Sequence, residues 1–562
     1  MKTRDAILCA LAGACQVAAQ YTVSNSTTSN EVFDGYVSYS IELSSFPEFA
    51  GNNSHPNTFS DTLLNNIGNI IGTKPYVRVG GNTQDYALYN ASLPYALNGT
   101  VNPARSPDYP TTIYIGPSFF ESYNTFPGVK FTHGFNLGLG GNRSDGWQTL
   151  LDTVPLACQA LSGGKLLWWE YGNEPDLFST SSQGPVRPST WNETTYVAQW
   201  LNGTRAIKSL IEEHCPDLAT NDTYGYFAPS FGGVGNRLKA QITWADGMNT
   251  DGDVKLFSTH NYISGATSPG VTLQGTLMNH AVTKRSVDAH ITEYNLAKAG
   301  DPAIPPLIFG EANSLYNQGK PGLSNTFGAA LWGIDFNLYS ASVGFKRVYM
   351  HMGTNYRYAA WQPLTTDLAP VETKAPYYGS VAVAAALGNL ARCPATVVAI
   401  PLASDREAAY AAYVDGGATL ARIIVINLNA YNTTVDGAGL EPLPADQTLP
   451  RPSADYNFTI AGYAAARKKA GSQVVAVQRL LANGSDAITG ITWDGWSYNH
   501  ELAGGRPVRL GNVTVGETAS VGVDGTVGVT VPASSAVILD FVGGGGRGGG
   551  GEEDGETVGR GC

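Results

Sequence analysis

Positive charge is scarce in this chain, and so is cysteine. Lys and Arg total 34 against 46 Asp and Glu, giving a net charge of −12 and a pI near 5.2. No stretch is basic enough to reverse that balance, which excludes nucleic acid and anionic membrane surfaces as partners. Of six cysteines, Cys9 and Cys15 fall in the N-terminal leader. Cys158, Cys215, Cys393 and Cys562 remain, with no CxxC and no metal-ligand spacing, so no metal site is expected. After the leader no run is long and apolar enough for a membrane helix. G-x-S-x-G, a phosphate loop and a His/Asp metal cluster are also missing, and Gly80-Gly81 reads as a tight turn rather than a nucleotide fingerprint. No cofactor is expected.

What is present describes a globular protein, with 43% apolar and 14% charged residues. At 562 residues the chain is too long for one core and calls for a large catalytic domain with a companion. Lys2 and Arg4 precede an apolar stretch at 6–14, and Val17-Ala18-Ala19 supplies small residues for cleavage. Residues 1–19 therefore read as a signal peptide, too short to span a bilayer, and the mature protein is expected to be secreted and extracellular. Twelve Asn-X-Ser/Thr sequons between Asn25 and Asn512 fit a glycoprotein.

Along 34–380, short apolar runs alternate with longer amphipathic ones, the pattern of a parallel α/β fold. Strands are predicted at 35–43, 75–79, 129–135, 166–171, 226–228, 254–260, 307–309 and 345–350. Helices are predicted at 144–161, at 190–214 with Ser189 as N-cap, and at 286–299. Eight strands with helices between them make a (β/α)₈ TIM barrel, whose active site lies at the C-terminal lip. Residues 385–541 change texture to short Val/Ile/Ala-rich runs between Gly/Asn/Pro turns, a β-sandwich domain to which 21–32 is expected to add a strand. Residues 542–562, Gly-rich then acidic, are expected to be disordered and lack the hydrophobic tail of a lipid-anchor signal.

Two of these strands end in acids. The apolar run Leu166-Leu167-Trp168-Trp169 leads into Gly172-Asn173-Glu174-Pro175, and Pro306-Leu307-Ile308-Phe309 leads into Gly310-Glu311-Ala312-Asn313. On the strand count Glu174 ends strand four and Glu311 ends strand seven. Two strand-end carboxylates are the minimum equipment for double-displacement glycoside cleavage. Glu293 is the nearest rival nucleophile, but its surroundings have helical spacing. Glu170 shares the face of Glu174 and points into the barrel, where a lone charge is costly; Arg78 on strand two is its expected partner. His260, ending strand six, reads as a structural hydrogen-bonder, with Tyr262 beside it as a sugar contact.

The runs Glu42-Leu43-Ser44-Ser45-Phe46-Pro47, Val77-Arg78-Val79-Gly80-Gly81-Asn82-Thr83-Gln84-Asp85, Gly172-Asn173-Glu174-Pro175-Asp176 and Glu311-Ala312-Asn313-Ser314 together resemble glycoside hydrolase family 79, most closely its fungal β-glucuronidase branch. The resemblance spans nearly the whole mature chain. It implies a barrel followed by a sandwich, and removal of terminal β-linked glucuronic acid with retention; the expected substrate is a glycan carrying that sugar, or its 4-O-methyl form, at chain ends. It further implies Glu174 as acid/base, Glu311 as nucleophile, and Glu42, Asn82, Asn173, Tyr262, Tyr316 and Tyr358 as sugar contacts. In similar enzymes tyrosine hydroxyls and backbone N–H groups just past the nucleophile hold the uronate carboxylate, a role Tyr316 matches; Arg357 is an alternative partner. Two other readings stand beside this one: an endo-acting, heparanase-like enzyme, disfavoured by the lack of a basic cleft, and a non-catalytic carbohydrate-binding wall protein, disfavoured by the paired acids. Cys158 and Cys215 lie near the ends of the helices flanking strand four and are expected to form a disulfide, leaving Cys393 free.

Overall fold

The computed structural model describes residues 20–106, 108–181, 184–463 and 473–542; the segment 1–19 expected to be a signal peptide and the tail from 543 expected to be disordered lie outside the described residues. The N-terminal strand β1 (Gln20–Val23) is followed by β2 (Val37–Glu42) and β3 (Val77–Gly80). Three short strands come next, β4 (Ala87–Tyr89), β5 (Leu97–Thr100) and β6 (Thr112–Ile115). Then come β7 (Phe131–Phe135), β8 (Leu166–Tyr171), β9 (Tyr226–Phe231), β10 (Val254–Gly265), β11 (Leu307–Tyr316) and β12 (Val348–Met352). The strands β2, β3 and β7 to β12 close, in sequence order and all parallel, into an eight-stranded barrel. The fold is a TIM barrel, and its C-terminal lip carries the acids.

The predicted strand at 166–171 matches β8 residue for residue. Those at 226–228, 254–260 and 307–309 are too short. Each continues through polar residues of the barrel mouth, such as Asn261, Asn313 and Ser314, where the apolar signal stops while the hydrogen-bond ladder does not. The helix expected from 190 begins at Glu193. Asn192, not Ser189, is its cap, in a reciprocal box with Thr195. The helix expected from 286 runs His280–Gly300, starting at the Asn279 cap.

After the barrel, Thr396–Ile400, Glu407–Val414, Thr419–Asn427, Ser535–Asp540 and Gln473–Leu481 line up antiparallel in one large sheet. A second sheet of β1, Ser453–Ile460 and Thr526–Pro532 packs on it through Val23, Ile423, Val425, Phe458, Val475 and Val537. Between barrel and sandwich lie two helices, Phe327–Val343 and Ala375–Leu387, buried on nearly every side. Helices apolar all round belong in an interior, and these fuse the two domains through one core. Cys158 and Cys215 are disulfide-bonded, joining the end of the helix Ser144–Ala160 to the residue after Glu193–His214. Cys393 is also disulfide-bonded, contrary to the expected free thiol, and its partner lies outside the described residues.

Candidate active site

At the end of β8 the chain turns through Gly172 at φ 90° and Glu174 at φ 50°. A left-handed glutamate is uncommon and costs on the order of 1 kcal/mol, so something must hold it. Its N–H donates to the Ser230 carbonyl near the end of β9 at 3.0 Å, and Pro175 starts a short 3₁₀ turn behind it. Glu311 sits within β11. A register shift between Thr259 and His260 on β10 sets His260 opposite Glu311, the re-aiming that a bulge provides.

The two acids converge. One oxygen of Glu174, one of Glu311 and a His260 ring nitrogen lie within 4.8 Å of one another. Glu311 is 5% exposed, and both residues are held by named partners. The buried Arg78 guanidinium donates to Glu311 Oε2 at 2.7 Å, to Glu170 Oε2 at 2.7 and 2.8 Å, to Ser40 Oγ at 2.8 Å and to Asn173 Oδ1 at 2.8 Å. The Tyr262 hydroxyl donates to Glu311 Oε1 at 2.7 Å, and His260 Nδ1 shares a 3.1 Å hydrogen bond with Glu174 Oε1. Two carboxylates and an imidazole this close would suit a cation, but Arg78 already places a fixed positive charge on Glu311.

These surroundings push the two carboxyls apart. Burial raises Glu174 to about 8, and the neighbouring charge of Glu311 adds to it. Burial also acts upward on Glu311. There His351, the His260 ring, Arg78 and the Tyr262 hydrogen bond outweigh it and hold the group at about 2. Burial keeps His260 near 4 and therefore neutral at ordinary pH, so Arg78 is the cation that never switches off. His351 on β12 lies 3.5 Å from Glu311 Oε2 and 3.4 Å from Glu42 Oε2; burial lowers its pKa, but these carboxylates overcome that and leave it raised. Across the useful pH range Glu174 is an acid and Glu311 an anion. Opposed protonation on paired carboxyls is what acid/base glycoside cleavage needs.

Residues 409–538 match the Glycosyl hydrolase family 79 C-terminal beta domain. The chain is 66% identical over 543 residues to a beta-glucuronidase of Neurospora crassa, covering 93% of this chain and 97% of that one. It is 53% identical over 514 residues to a beta-glucuronidase of Aspergillus niger, covering 91% of each. The chain belongs to glycoside hydrolase family 79. Among solved structures it is similar to a 4-O-alpha-L-rhamnosyl-beta-D-glucuronidase from Fusarium oxysporum 12S, with a TM-score of 0.71 at 24% identity over 93% of this chain and all of that one. A family 51 α-L-arabinofuranosidase from Bifidobacterium longum shares the fold at a TM-score of 0.56 and 13% identity.

Around the acids of this family 79 protein, the other predicted contacts fall into two groups. Glu42 is buried at the mouth, accepting from the Thr83 N–H and hydroxyl at 2.8 and 2.6 Å and from the Tyr356 hydroxyl at 3.1 Å. Asn173 takes the Arg78 bond and donates to Asn82 Oδ1 at 3.3 Å, with Asn82 exposed to solvent. Tyr358 is hydrogen-bonded to Tyr262, its ring 6.0 Å away. Tyr316 stands apart on the rim, 46% exposed, its hydroxyl 3.4 Å from Ser268 Oγ. Just past it Asn317 and Gln318 are left-handed, at φ 63° and 60°. Arg357 is already committed, its guanidinium forked onto Asp108 at 2.6 and 2.8 Å. Glu293 lies on the helix His280–Gly300 and accepts the Ala240 N–H at 2.9 Å, away from the acids.

Sequence reasoning missed the supporting polar residues. Arg78 was assigned to Glu170 alone, whereas it also grips Glu311 and Asn173. His260 is the hydrogen-bonder expected, but its partner, Glu174 at 3.1 Å, was not foreseen. Ser40, two residues before Glu42 on the same inward face of β2, carried a period-two signal that was there to be used. Asp85 accepts the Leu137, Gly138 and Asn173 N–H groups at 2.8, 2.8 and 2.7 Å, tying three lip loops together. Burial pushes it up to about 7 against those bonds.

Proposed function

We propose that this protein is a secreted, retaining exo-β-glucuronidase that releases terminal glucuronic acid, or its 4-O-methyl form, from glycans. The observation that carries the reading is the Glu174–Glu311 pair, split in protonation and within 4.8 Å, in a chain 66% identical to a beta-glucuronidase over nearly its full length. Retaining enzymes hold their carboxyls about 5–5.5 Å apart, inverting ones roughly 6.5–9.5 Å, and this spacing supports the first class.

In the first step Glu311 attacks the anomeric carbon while Glu174 gives its proton to the departing oxygen. The bond to the leaving group breaks as the ester to Glu311 forms. Glu174, now a base, takes a proton from water, and that water displaces Glu311 and frees the sugar. Arg78 and Tyr262 steady Glu311 while it is anionic, and His260 orients Glu174.

Exo-action is supported by the connection between β3 and β7. It carries β4, β5 and β6, and its Asp108 clamps Arg357 across the mouth, with the rings of Tyr109 and Tyr356 6.4 Å apart. A wall there fits a cleft closed at one end, as cleavage of a terminal sugar requires. The N-terminal leader and the sequons support secretion, and among the described residues no helix is long and apolar enough to cross a membrane.

Two measurements test the reading together. A 2-fluoro-β-glucuronide should label Glu311 covalently, and digestion of a glucuronic-acid-bearing polysaccharide should release monomeric uronic acid. Label on another acid would overturn the mechanism. Oligosaccharides without monomer would favour the endo, heparanase-like reading, and no turnover of an aryl glucuronide would favour the wall protein.

A further inference from the structure

One layer of the barrel mouth joins three neighbouring strands. His351 on β12 is in register with Ser40 on β2, and Ser40 is in register with Arg78 on β3. All three point inward and touch. Arg78 Nη1 donates to Ser40 Oγ at 2.8 Å, and Ser40 Oγ lies 2.9 Å from His351 Nδ1. The ring is 3% exposed. Its Nδ1 side faces Glu311 at 3.5 Å and its Nε2 side faces Glu42 at 3.4 Å, with the rings of Tyr356 and Tyr358 packed 6.0 and 6.2 Å away.

The charges around this layer do not balance without the histidine. Glu42, Glu170 and Glu311 present three carboxylates to one interior, and Arg78 is the fixed cation among them, spent on both Glu170 and Glu311. Glu42 receives only hydroxyl and N–H donors apart from His351. Uncompensated charge in a buried layer is costly, and an imidazolium between Glu42 and Glu311 removes most of that cost.

We propose that His351 is a second, titratable counter-charge for the nucleophile Glu311, held in its protonated form by Glu42. It is a positioning residue that acts through Glu311, 3.5 Å from its ring. Glu42 accordingly serves the nucleophile at one remove, besides any contact with sugar. The raised pKa of His351 agrees in direction, since the Glu311 and Glu42 charges outweigh burial. The titratable and charged groups that bear on His351 are Glu42 on β2, Arg78 on β3, Glu174 after β8, His260 on β10, Glu311 on β11, and Tyr356 and Tyr358 beyond β12, with the Ser40 hydroxyl beside the ring.

The inference rests on Glu311 being the nucleophile, which the fluoro-sugar label checks separately. The test is His351→Gln, assayed on an aryl β-glucuronide from pH 2.5 to 9, beside nuclear magnetic resonance titration of His351 in the wild-type protein and in Glu42→Gln. Losing the cation should let the Glu311 carboxyl hold its proton longer. The acid limb of kcat/KM therefore moves up by about one pH unit, and kcat falls more than KM rises. In the wild type His351 should titrate above the ordinary histidine value of about 6.5, and in Glu42→Gln its midpoint should fall. A folded His351→Gln enzyme that is slower but has an unmoved acid limb would show a merely structural role and overturn the proposal. So would a wild-type midpoint below the ordinary value, which decides the matter even if the variant does not fold.

Discussion

Near the N-terminal ends of its strands the barrel is filled by Tyr76, Phe227, Leu256, Ile308 and Tyr349, with the Phe227 and Tyr349 rings meeting edge-on at 5.6 Å. A few residues further along the same strands the filling is Arg78, Glu170, His260, Glu311 and His351. Both layers are excluded from water, and both sit on one hydrogen-bonded frame. The lower layer is held chiefly by shape, its one strong polar tie being the Tyr76 hydroxyl that donates to Asp34 Oδ2 at 2.7 Å. In the upper layer every charge depends on another, so a single change there propagates as electrostatics rather than as a void. The difference teaches where stability and activity reside: the lower layer supplies the rigid floor, and the upper one is built for protons.

The largest effect should follow Glu311→Gln. Turnover should fall by at least roughly 10⁴-fold, as expected when a covalent nucleophile is lost. The melting temperature should change little, because Arg78 keeps Glu170 and the amide oxygen still accepts from Nη1. Calorimetry beside single-turnover kinetics checks both halves, and a large stability loss would erase the contrast between the layers. Next comes Glu174→Ala, which should cost about 10²–10⁴-fold on substrates with poor leaving groups and far less on activated aryl glucuronides. Equal losses on both would mean that Glu174 is not the acid.

In the lower layer, Ile308→Ala should remove about 2–5 kcal/mol of stability through the cavity it leaves, read by denaturant unfolding. Its pH–activity profile should stay where it was. The smallest effect is a slope. Glu174 has a raised pKa in the folded protein, so the fold holds that proton more tightly than the unfolded chain does. Its contribution is therefore lost as pH rises from the ordinary carboxyl range to about 8, and activity should fall only at the upper end of that window. Glu311 behaves oppositely: its stabilisation is present at neutral pH and is lost as pH falls toward about 2. Glu174→Gln should flatten the decline of stability toward pH 8, whereas Ile308→Ala should lower the whole curve without changing its slope.

The apolar half of each strand announced itself, which is why β8 could be bounded to the residue and the barrel counted to eight. The polar half did not. Once β10 passes Thr259 and β11 passes Phe309, the side chains are chosen by the site and the hydrophobic rhythm ends, although the strands run on to Gly265 and Tyr316. The acids were legible because each stood at such a break. Their partners were not, because the link from Arg78 to Glu311, or from Ser40 to His351, is made by registers across neighbouring strands that no single segment displays. The bulge at His260 is the sharpest case: one residue of slip decides which neighbour it faces.

The strand β1 bears on how such a chain is made. It leaves the ribosome ahead of every other described strand, yet its sheet partner is Ser453–Ile460; Gln20 Nε2 reaches Thr459 Oγ1, 439 positions away. The barrel can close behind it while this short segment waits unpaired, and the sandwich is finished only when nearly the whole chain has emerged. Contacts so distant in sequence form slowly and leave an open sheet edge in the meantime. An affinity tag or fusion partner placed directly before Gln20 would burden that final docking step, far from the catalytic mouth. For production of this enzyme, the few residues ahead of β1 matter more to yield than to rate.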